Sequence, residues 1–189
     1  MPNIDQGAKS WELDLSARLG AAVQARRKAL KMTAQQLAER TRKLGYPITR
    51  VAISKIETNN RAGKFDVAEL LVLAVALDIP PVLLLFPSFP EGTGHLVPTH
   101  IADAVGARQW LCGSTAWMVG SHNDGIDLVQ AVADRHELDS ELFKARLMEQ
   151  DASTRRMIAA REARLAAINA EIGRSKARLW GTEESESSE

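Results

Sequence analysis

The stretch ITRVAISKIETNNR, residues 48–61, combines helical spacing with two unlike faces. Thr49 is a suitable N-cap and predicts a helix that extends to about Thr58. The apolar residues fall on one side of that helix; they are Ile48, Ala52, Ile53 and Ile56. The rest of the surface carries mainly hydrogen-bond donors, with Glu57 as its one acid; the donors are Arg50, Ser54, Lys55, Asn59, Asn60 and Arg61. Such a helix packs on one side and offers the other to a partner.

Four side chains form the donor-bearing side when the helix is drawn at about 100° per residue. They are Arg50, Val51, Ser54 and Lys55. Arginine can pair with guanine O6 and N7, valine can contact a thymine methyl, and serine can donate or accept. The remaining donors suit phosphates, which fix the register on DNA rather than the sequence that is read; they are Lys55, Asn59, Asn60 and Arg61. This side of the helix therefore indicates duplex DNA as its partner.

Helical patterns continue on both sides of this segment. Upstream, apolar residues predict a helix over residues 11–31, and Thr33 is a candidate N-cap for a second helix over 34–44. Gly45 and Pro47 end that helix, with Gly45 in a left-handed conformation. Downstream, two further helices are expected; Asp66 begins one that runs to Asp78, and Pro80-Pro81 begin a short one that runs to Phe86.

Beyond residue 87 the composition changes. Residues 87–98 hold three prolines and two glycines, and mark a domain boundary. We predict a helix-turn-helix domain over residues 1–87, a linker with a short helix (99–112) over 88–124, and a long helical region over 125–181 with one break near Leu138-Asp139. Residues 182–189 read as a disordered acidic tail. No strand pair is predicted, so the fold class is all-α.

Composition and charge narrow the function classes. The 189 residues include one cysteine and no apolar run long enough to cross a membrane, and the N-terminus lacks a signal-peptide core. We therefore expect a cytoplasmic, nucleoid-associated protein. The net charge of zero hides an asymmetry, because residues 26–64 hold 11 basic and 2 acidic residues. A basic cluster beside an acidic half indicates an anionic partner for one segment only.

Three motifs together resemble one family. MTAQQLAERT (32–41), ITRVAISKIE (48–57) and FDVAELLVLAVALDIPPVLLLF (65–86) are similar to the second helix, the recognition helix and the two closing helices of phage-repressor-like, or XRE-type, helix-turn-helix regulators. The resemblance covers about residues 15–87. It implies a five-helix domain that binds operator DNA as a homodimer and represses transcription by occlusion.

The resemblance also implies roles for individual residues. Arg50, Val51, Ser54 and Lys55 match base- or backbone-reading positions, and the helix start at Thr33 to Gln35 matches a phosphate contact. With Thr49, Asn59, Asn60 and Arg61 they complete the expected DNA-binding set. Arg27 and Glu57 match positions that form a structural ion pair in some family members.

Two features depart from the family pattern. Ala34 stands where the family usually has glutamine, which puts a base contact from the second helix in doubt, although Gln35 is adjacent. The connection between the helices, TRKLGYPI (41–48), is also about five residues longer. Extra loop length costs little entropy, and it places Arg42 and Lys43 where they could approach the DNA backbone.

A fragment of heptad pattern marks the C-terminal half. Its apolar positions, which we take as a dimer seam, are Ile158, Leu165, Ile168, Ile172 and Leu179. The seam is imperfect, since Arg161 and Ser175 occupy positions where apolar residues are wanted. The alternative is a helix that packs within its own chain or frays in solvent.

Other candidate sites are weak. His95, His100, Cys112 and His122 lack the spacing of a zinc site, so we expect no metal and no cofactor. Trp110 and Trp117 fit a small satellite core, and an effector pocket in residues 99–125 is the alternative. No catalytic motif is present, so we expect no enzyme. The competing function is a protein-interaction module, such as an adaptor or an antitoxin-like partner.

Overall fold

The structure is a computed structural model that describes residues 5–115, 123–147 and 151–181. Its elements are α1 (Gln6–Ala29), α2 (Ala34–Lys43), α3 (Arg50–Glu57), α4 (Val67–Ala76), α5 (Pro81–Leu85), β1 (Thr93–Val97), β2 (His100–Asp103), α6 (Ala104–Leu111), α7 (Asp124–Leu147) and α8 (Ala152–Trp180). The described residues are mainly helical, which confirms the all-α class. They divide into two compact units, one up to Arg108 and one from Gln109. Whether the four predicted segments fold as independent domains stays a prediction, and the predicted tail lies outside the described residues.

The helix starts follow the capping residues that the sequence predicts. Thr33, Thr49 and Asp66 each accept a hydrogen bond from a first-turn amide, at 3.1, 3.1 and 2.6 Å. Gln36 completes a capping box, because its Oε1 accepts from the Thr33 amide at 2.8 Å. Helix α1 begins earlier than the predicted Trp11, since the Asp5 side chain caps it by accepting from Gly7 N.

The first five helices enclose one core. Its most deeply buried side chains are Val23, Leu37, Ile53, Leu73, Leu77 and Leu84. Each of the five helices contributes at least one of these side chains, and Leu77 is the residue that ends α4. Each such side chain contributes about 2 kcal/mol when it leaves water, and this makes the packing the main stabilising term.

A β-hairpin follows α5, so the prediction that residues 88–124 contain no strand pair was wrong. Strands β1 and β2 are antiparallel, with Thr93 opposite Asp103 and His95 opposite Ile101. Two-stranded hairpins are marginal alone, and this one gains support from α1. Trp11 Nε1 and Arg18 Nη2 donate to the His95 carbonyl at 3.4 and 3.5 Å. The predicted helix over 99–112 correspondingly begins later, at Ala104.

Arg18 holds the hairpin through a second contact. Its guanidinium lies 5.1 Å from the centre of the Phe86 ring. Partial burial lowers the pKa of Arg18, and nearby Asp14 opposes that effect. Phe86 is buried with Ala104 and Ala107 in a small cluster that Leu96 and Ala102 complete. The hairpin and the start of α6 therefore extend the first unit's core.

In the second unit, α7 and α8 form an antiparallel helix pair. Arg178 pairs with Asp124 at 2.6 Å and Arg161 with Glu141 at 3.0 Å, which sets the direction. The predicted break near Leu138-Asp139 was wrong. Leu138 is buried inside α7, and the next helix begins after Asp151, whose side chain accepts from Thr154 N at 2.7 Å.

The predicted dimer seam packs largely within the chain. Leu138, Leu142 and Ile158 form a cluster with Leu165 and Ile168 beside it, Ile172 is 8% exposed and Leu179 is half-buried. The intramolecular alternative therefore describes this face of α8. Within the described residues, no helix is both long enough and apolar enough to span a membrane.

Candidate nucleic-acid interface

The connection between α2 and α3 is closed by one buried hydroxyl. Thr41 is fully buried, and its Oγ1 accepts from Ile48 N at 3.0 Å while it donates to the Ala38 carbonyl at 2.8 Å. Gly45 has a φ of 85°, as predicted for the residue that ends α2. Thr41 thus holds the long connection against α2 and fixes where α3 begins.

The inner face of α3 lies very close to α1. Ile53 and Ile56 are buried, with 0% and 3% of their surface exposed. Gly20 of α1 makes this approach possible, because a Cβ at that position would lie 2.2 Å from the Ile56 carbonyl oxygen. The backbones of α1 and α3 are therefore almost in contact.

An ion pair joins the same two helices. Arg27 donates from Nε and Nη2 to the two carboxylate oxygens of Glu57, at 2.5 and 2.7 Å, and from Nη1 to the Met32 carbonyl at 2.7 Å. The side chains are 12% and 5% exposed. The hydrogen bonds that Arg27 donates to the Glu57 carboxylate raise the pKa of Arg27. This is the pair that the family resemblance implies.

The outer face of α3 is open. Val51 is 62% exposed, and Arg50, Ser54 and Lys55 are exposed as well. With Thr58 and Asn60 they line a shallow depression of about 350 Å³. This short, firmly held helix with its donor-bearing face follows a capped helix and the connection of residues 44–49. Residues 23–84 match a family model described as Helix-turn-helix.

Residues 23–84 form a phage-repressor-like helix-turn-helix domain. The match runs from the last two turns of α1 into α5, and the hairpin, α6, α7 and α8 lie outside it. No curated protein and no solved structure matches the chain significantly.

The other predicted DNA-binding residues divide into two groups. Thr33, Gln35, Thr49 and Asn60 are exposed, although the hydroxyls of both threonines are used as helix caps. Asn59 and Arg61 are engaged in contacts within the first unit. Asn59 Nδ2 donates to the Leu13 carbonyl at 3.4 Å, and Arg61 pairs with Glu69 at 2.6 Å. Thr58, which is not among the predicted DNA-binding residues, belongs with the exposed group.

Part of the basic cluster is structural. Arg26 donates to the carbonyls of Leu77 and Asp78 at 3.0 and 2.9 Å, and Arg40 donates to the Ala76 carbonyl at 3.0 Å. These bonds satisfy carbonyls at the C-terminus of α4, where cations are also favoured by the helix dipole. Arg42 pairs with Glu39 on the surface, at 2.6 Å. The basic character available to DNA is therefore concentrated in fewer residues than the sequence count suggests.

The sequence also raised candidate metal and effector sites within residues 95–125. Across residues 5–115, 123–147 and 151–181, no group of three or more His, Cys, Asp or Glu side chains could hold a metal ion. Cys112 is exposed, and His100 lies beside Thr99, with Nδ1 and Oγ1 2.8 Å apart. His122 and Trp117 lie outside the described residues, as does part of the effector pocket predicted within residues 99–125. That pocket stays a prediction.

Proposed function

We propose that the protein is a sequence-specific transcriptional regulator that inserts α3 into the major groove of operator DNA. One observation carries the proposal: α3 exposes Arg50, Val51, Ser54 and Lys55 on one side while its other side is fixed by buried contacts. A rigidly held helix can place such side chains against base edges without losing much entropy on binding. The proposed setting is the cytoplasm, with nucleoid DNA as the partner, and no catalytic step is part of it.

The contacts divide into base reading and positioning. Arg50 pairs with a guanine and Val51 contacts a thymine methyl, while Lys55 and Asn60 bind phosphates. The start of α2 supplies a further phosphate site. Its capping box uses the amides of Thr33 and Gln36, so the first-turn amides of Ala34 and Gln35 stay available to an anion.

Replacing Arg50 by alanine tests base reading. We expect a loss of about 1–3 kcal/mol of binding free energy on the preferred duplex and a much smaller loss on random duplex, because a bidentate base contact is specific. Fluorescence anisotropy with both duplexes measures the difference. Arg156→Ala, which removes an exposed arginine of α8, is the matched control. Equal weakening on both duplexes would show that Arg50 contacts only the backbone.

The preferred duplex comes from selection out of a random library, run at about 50 and about 200 mM salt. A regulator of this kind enriches a defined motif, and its affinity falls steeply with salt because phosphate contacts release counterions. A library without enrichment contradicts the proposal. Co-purification of a protein partner, together with failure to bind DNA, would then favour the protein-interaction alternative.

A homodimer that represses by occlusion completes the proposal. Two half-sites about one helical turn apart increase both affinity and specificity, and a dimer reads them with one symmetry axis. Since the predicted α8 seam faces α7, pairing would use another surface. We expect light scattering to give twice the 20.7 kDa chain mass and selection to enrich symmetric sites. A monomer mass combined with asymmetric sites would remove the dimer from the proposal.

A further inference from the structure

A second concave site lies on the first unit, apart from the outer face of α3. It is a cleft of about 610 Å³ bounded by α1, the connection between α3 and α4, and the start of α4. This volume falls within the range of about 300–1,000 Å³ that is typical of small-molecule sites. Its apolar wall comes from three elements and the connection; it consists of Leu15, Leu19, Phe65, Leu70 and Leu85.

The charged residues of the cleft differ in their availability. Glu12 pairs with Lys9 at 2.6 Å, and Arg61 pairs with Glu69 at the same distance. Asp66 accepts from the Ala68 amide and caps α4. Lys64 is exposed and has no ion-pair partner among the residues that the structure describes. The cleft therefore offers one available positive charge beside an apolar wall.

The cleft is also linked to the segment that follows α3. Lys9 Nζ donates to the Ala62 carbonyl at 2.7 Å, and Asn59 Nδ2 reaches the Leu13 carbonyl. The first turns of α1 thus hold the connection between α3 and α4. Thr58 and Asn60, at the start of this connection, also line the depression on α3. These turns precede residue 23, where the family match begins. A molecule in the cleft would lie directly against this connection.

We propose that the cleft binds a small amphipathic anion, with an aromatic or acyl body against the leucines and a carboxylate or sulfonate at Lys64. Apolar contacts supply most of the affinity, and the cation selects for the anionic group. A bound anion weakens DNA binding for two reasons. It adds negative charge near Asn60, a proposed phosphate contact, and it displaces the connection between α3 and α4. This last step rests on the proposed function, whereas the binding site itself does not.

Two dyes with one aromatic body separate charge from apolar contact. Anilinonaphthalene sulfonate is the anionic probe, and N-phenyl-1-naphthylamine lacks the sulfonate. We expect Lys64→Gln to raise the Kd for the anionic dye about three- to fivefold, as the loss of one exposed charge pair predicts, without changing the neutral dye. Leu15→Gln should raise both Kd values about tenfold, because it makes the wall polar.

Matched control variants test whether the dyes bind in the cleft rather than elsewhere on the surface. Lys176→Gln in α8 and Val75→Gln in α4 change exposed residues that do not line the cleft, and both should leave the two Kd values unchanged. If Leu15→Gln fails to fold, Val67→Trp at the mouth of the cleft serves instead, and it should weaken both dyes by obstruction. Kd values that are the same in the cleft variants and in the wild-type protein would overturn the proposal.

The effect on DNA binding is measured in an experiment separate from the dye titrations. With the full chain on its preferred duplex, the anionic dye should lower DNA affinity in the wild-type protein and less so in the Lys64→Gln variant. If no duplex binds at all, the proposed function fails while the dye titrations still decide the site. If the dye occupies the cleft and DNA affinity does not change, the coupling is wrong.

Discussion

Gly20→Ala is expected to lower the free energy of unfolding by about 2–3 kcal/mol. Alanine normally stabilises a helix by about 1 kcal/mol relative to glycine, so the sign itself is informative. The new methyl group would lie 2.2 Å from the Ile56 carbonyl oxygen and 3.1 Å from its carbon. Both are backbone atoms that no side-chain rotation can move. The helices must separate, and the contacts of Ile53 and Ile56 with the core weaken.

Gly173→Ala provides the matched control for this substitution. Gly173 lies inside α8, and nothing lies within 4 Å of its Cβ position. We expect that variant to gain about 1 kcal/mol, through helix propensity alone. Urea unfolding followed by circular dichroism measures both variants. If Gly20→Ala also stabilises the protein, α1 and α3 are not in close contact.

Because Gly20→Ala displaces α3, we also expect it to affect DNA binding. The substitution removes none of the side chains proposed to contact DNA, but it shifts the helix that carries Arg50 and Val51 relative to α2. We expect weaker binding to the preferred duplex even at temperatures where the variant is folded. Loss of stability with unchanged affinity would show that the interface tolerates a shift of α3.

Local signals were sufficient for most of the helix-turn-helix domain. Thr33, Thr49 and Asp66 could be predicted as N-caps because each capping hydrogen bond spans only two or three residues. Gly45 could be predicted because a left-handed residue that ends a helix favours glycine. The outer face of α3 followed from spacing alone, since a helix of known pitch fixes which side chains share a side.

The hairpin and the second unit depended on contacts that spacing does not reveal. The hairpin owes its support to Trp11 and Arg18, about eighty residues earlier in the chain. Asp151 lies seven residues before Ile158, at a heptad position where an apolar residue is wanted, yet it is the N-cap of α8. An aspartate in an amphipathic pattern has both meanings, and only the partner of its carboxylate distinguishes them.

In the candidate nucleic-acid interface, too, the sequence did not reveal the long-range partners of the basic residues. Arg26 and Arg40 counted toward a DNA-attracting cluster in the sequence, but both donate to carbonyls at the end of α4. Their partners lie 51 and 36 residues away. Arg61 similarly pairs with Glu69. A count of basic residues therefore overestimates the number of unengaged donors that a partner meets, and the roles of the remaining residues toward DNA stay predictions.

Arg27→Met is expected to lower the free energy of unfolding by about 3 kcal/mol. The substitution leaves the Glu57 carboxylate, only 5% exposed, without its cation, and it removes the donor to the Met32 carbonyl. A charge buried alone is costly because the protein interior solvates it poorly. The pair also joins the last turn of α1 to the last turn of α3. Its loss should therefore loosen α3 as well as destabilise the domain.

Two further variants separate the cost of the unpaired charge from the loss of packing. Arg27→Met combined with Glu57→Met removes both charges, and we expect it to recover much of the lost stability, because an apolar pair of similar size replaces the ion pair. Arg42→Met breaks the surface pair with Glu39, which solvent screens, and should leave the unfolding midpoint almost unchanged. Urea unfolding at neutral pH measures all four proteins. If the double variant is as unstable as Arg27→Met, packing of the arginine stem explains the loss, and the unpaired carboxylate does not.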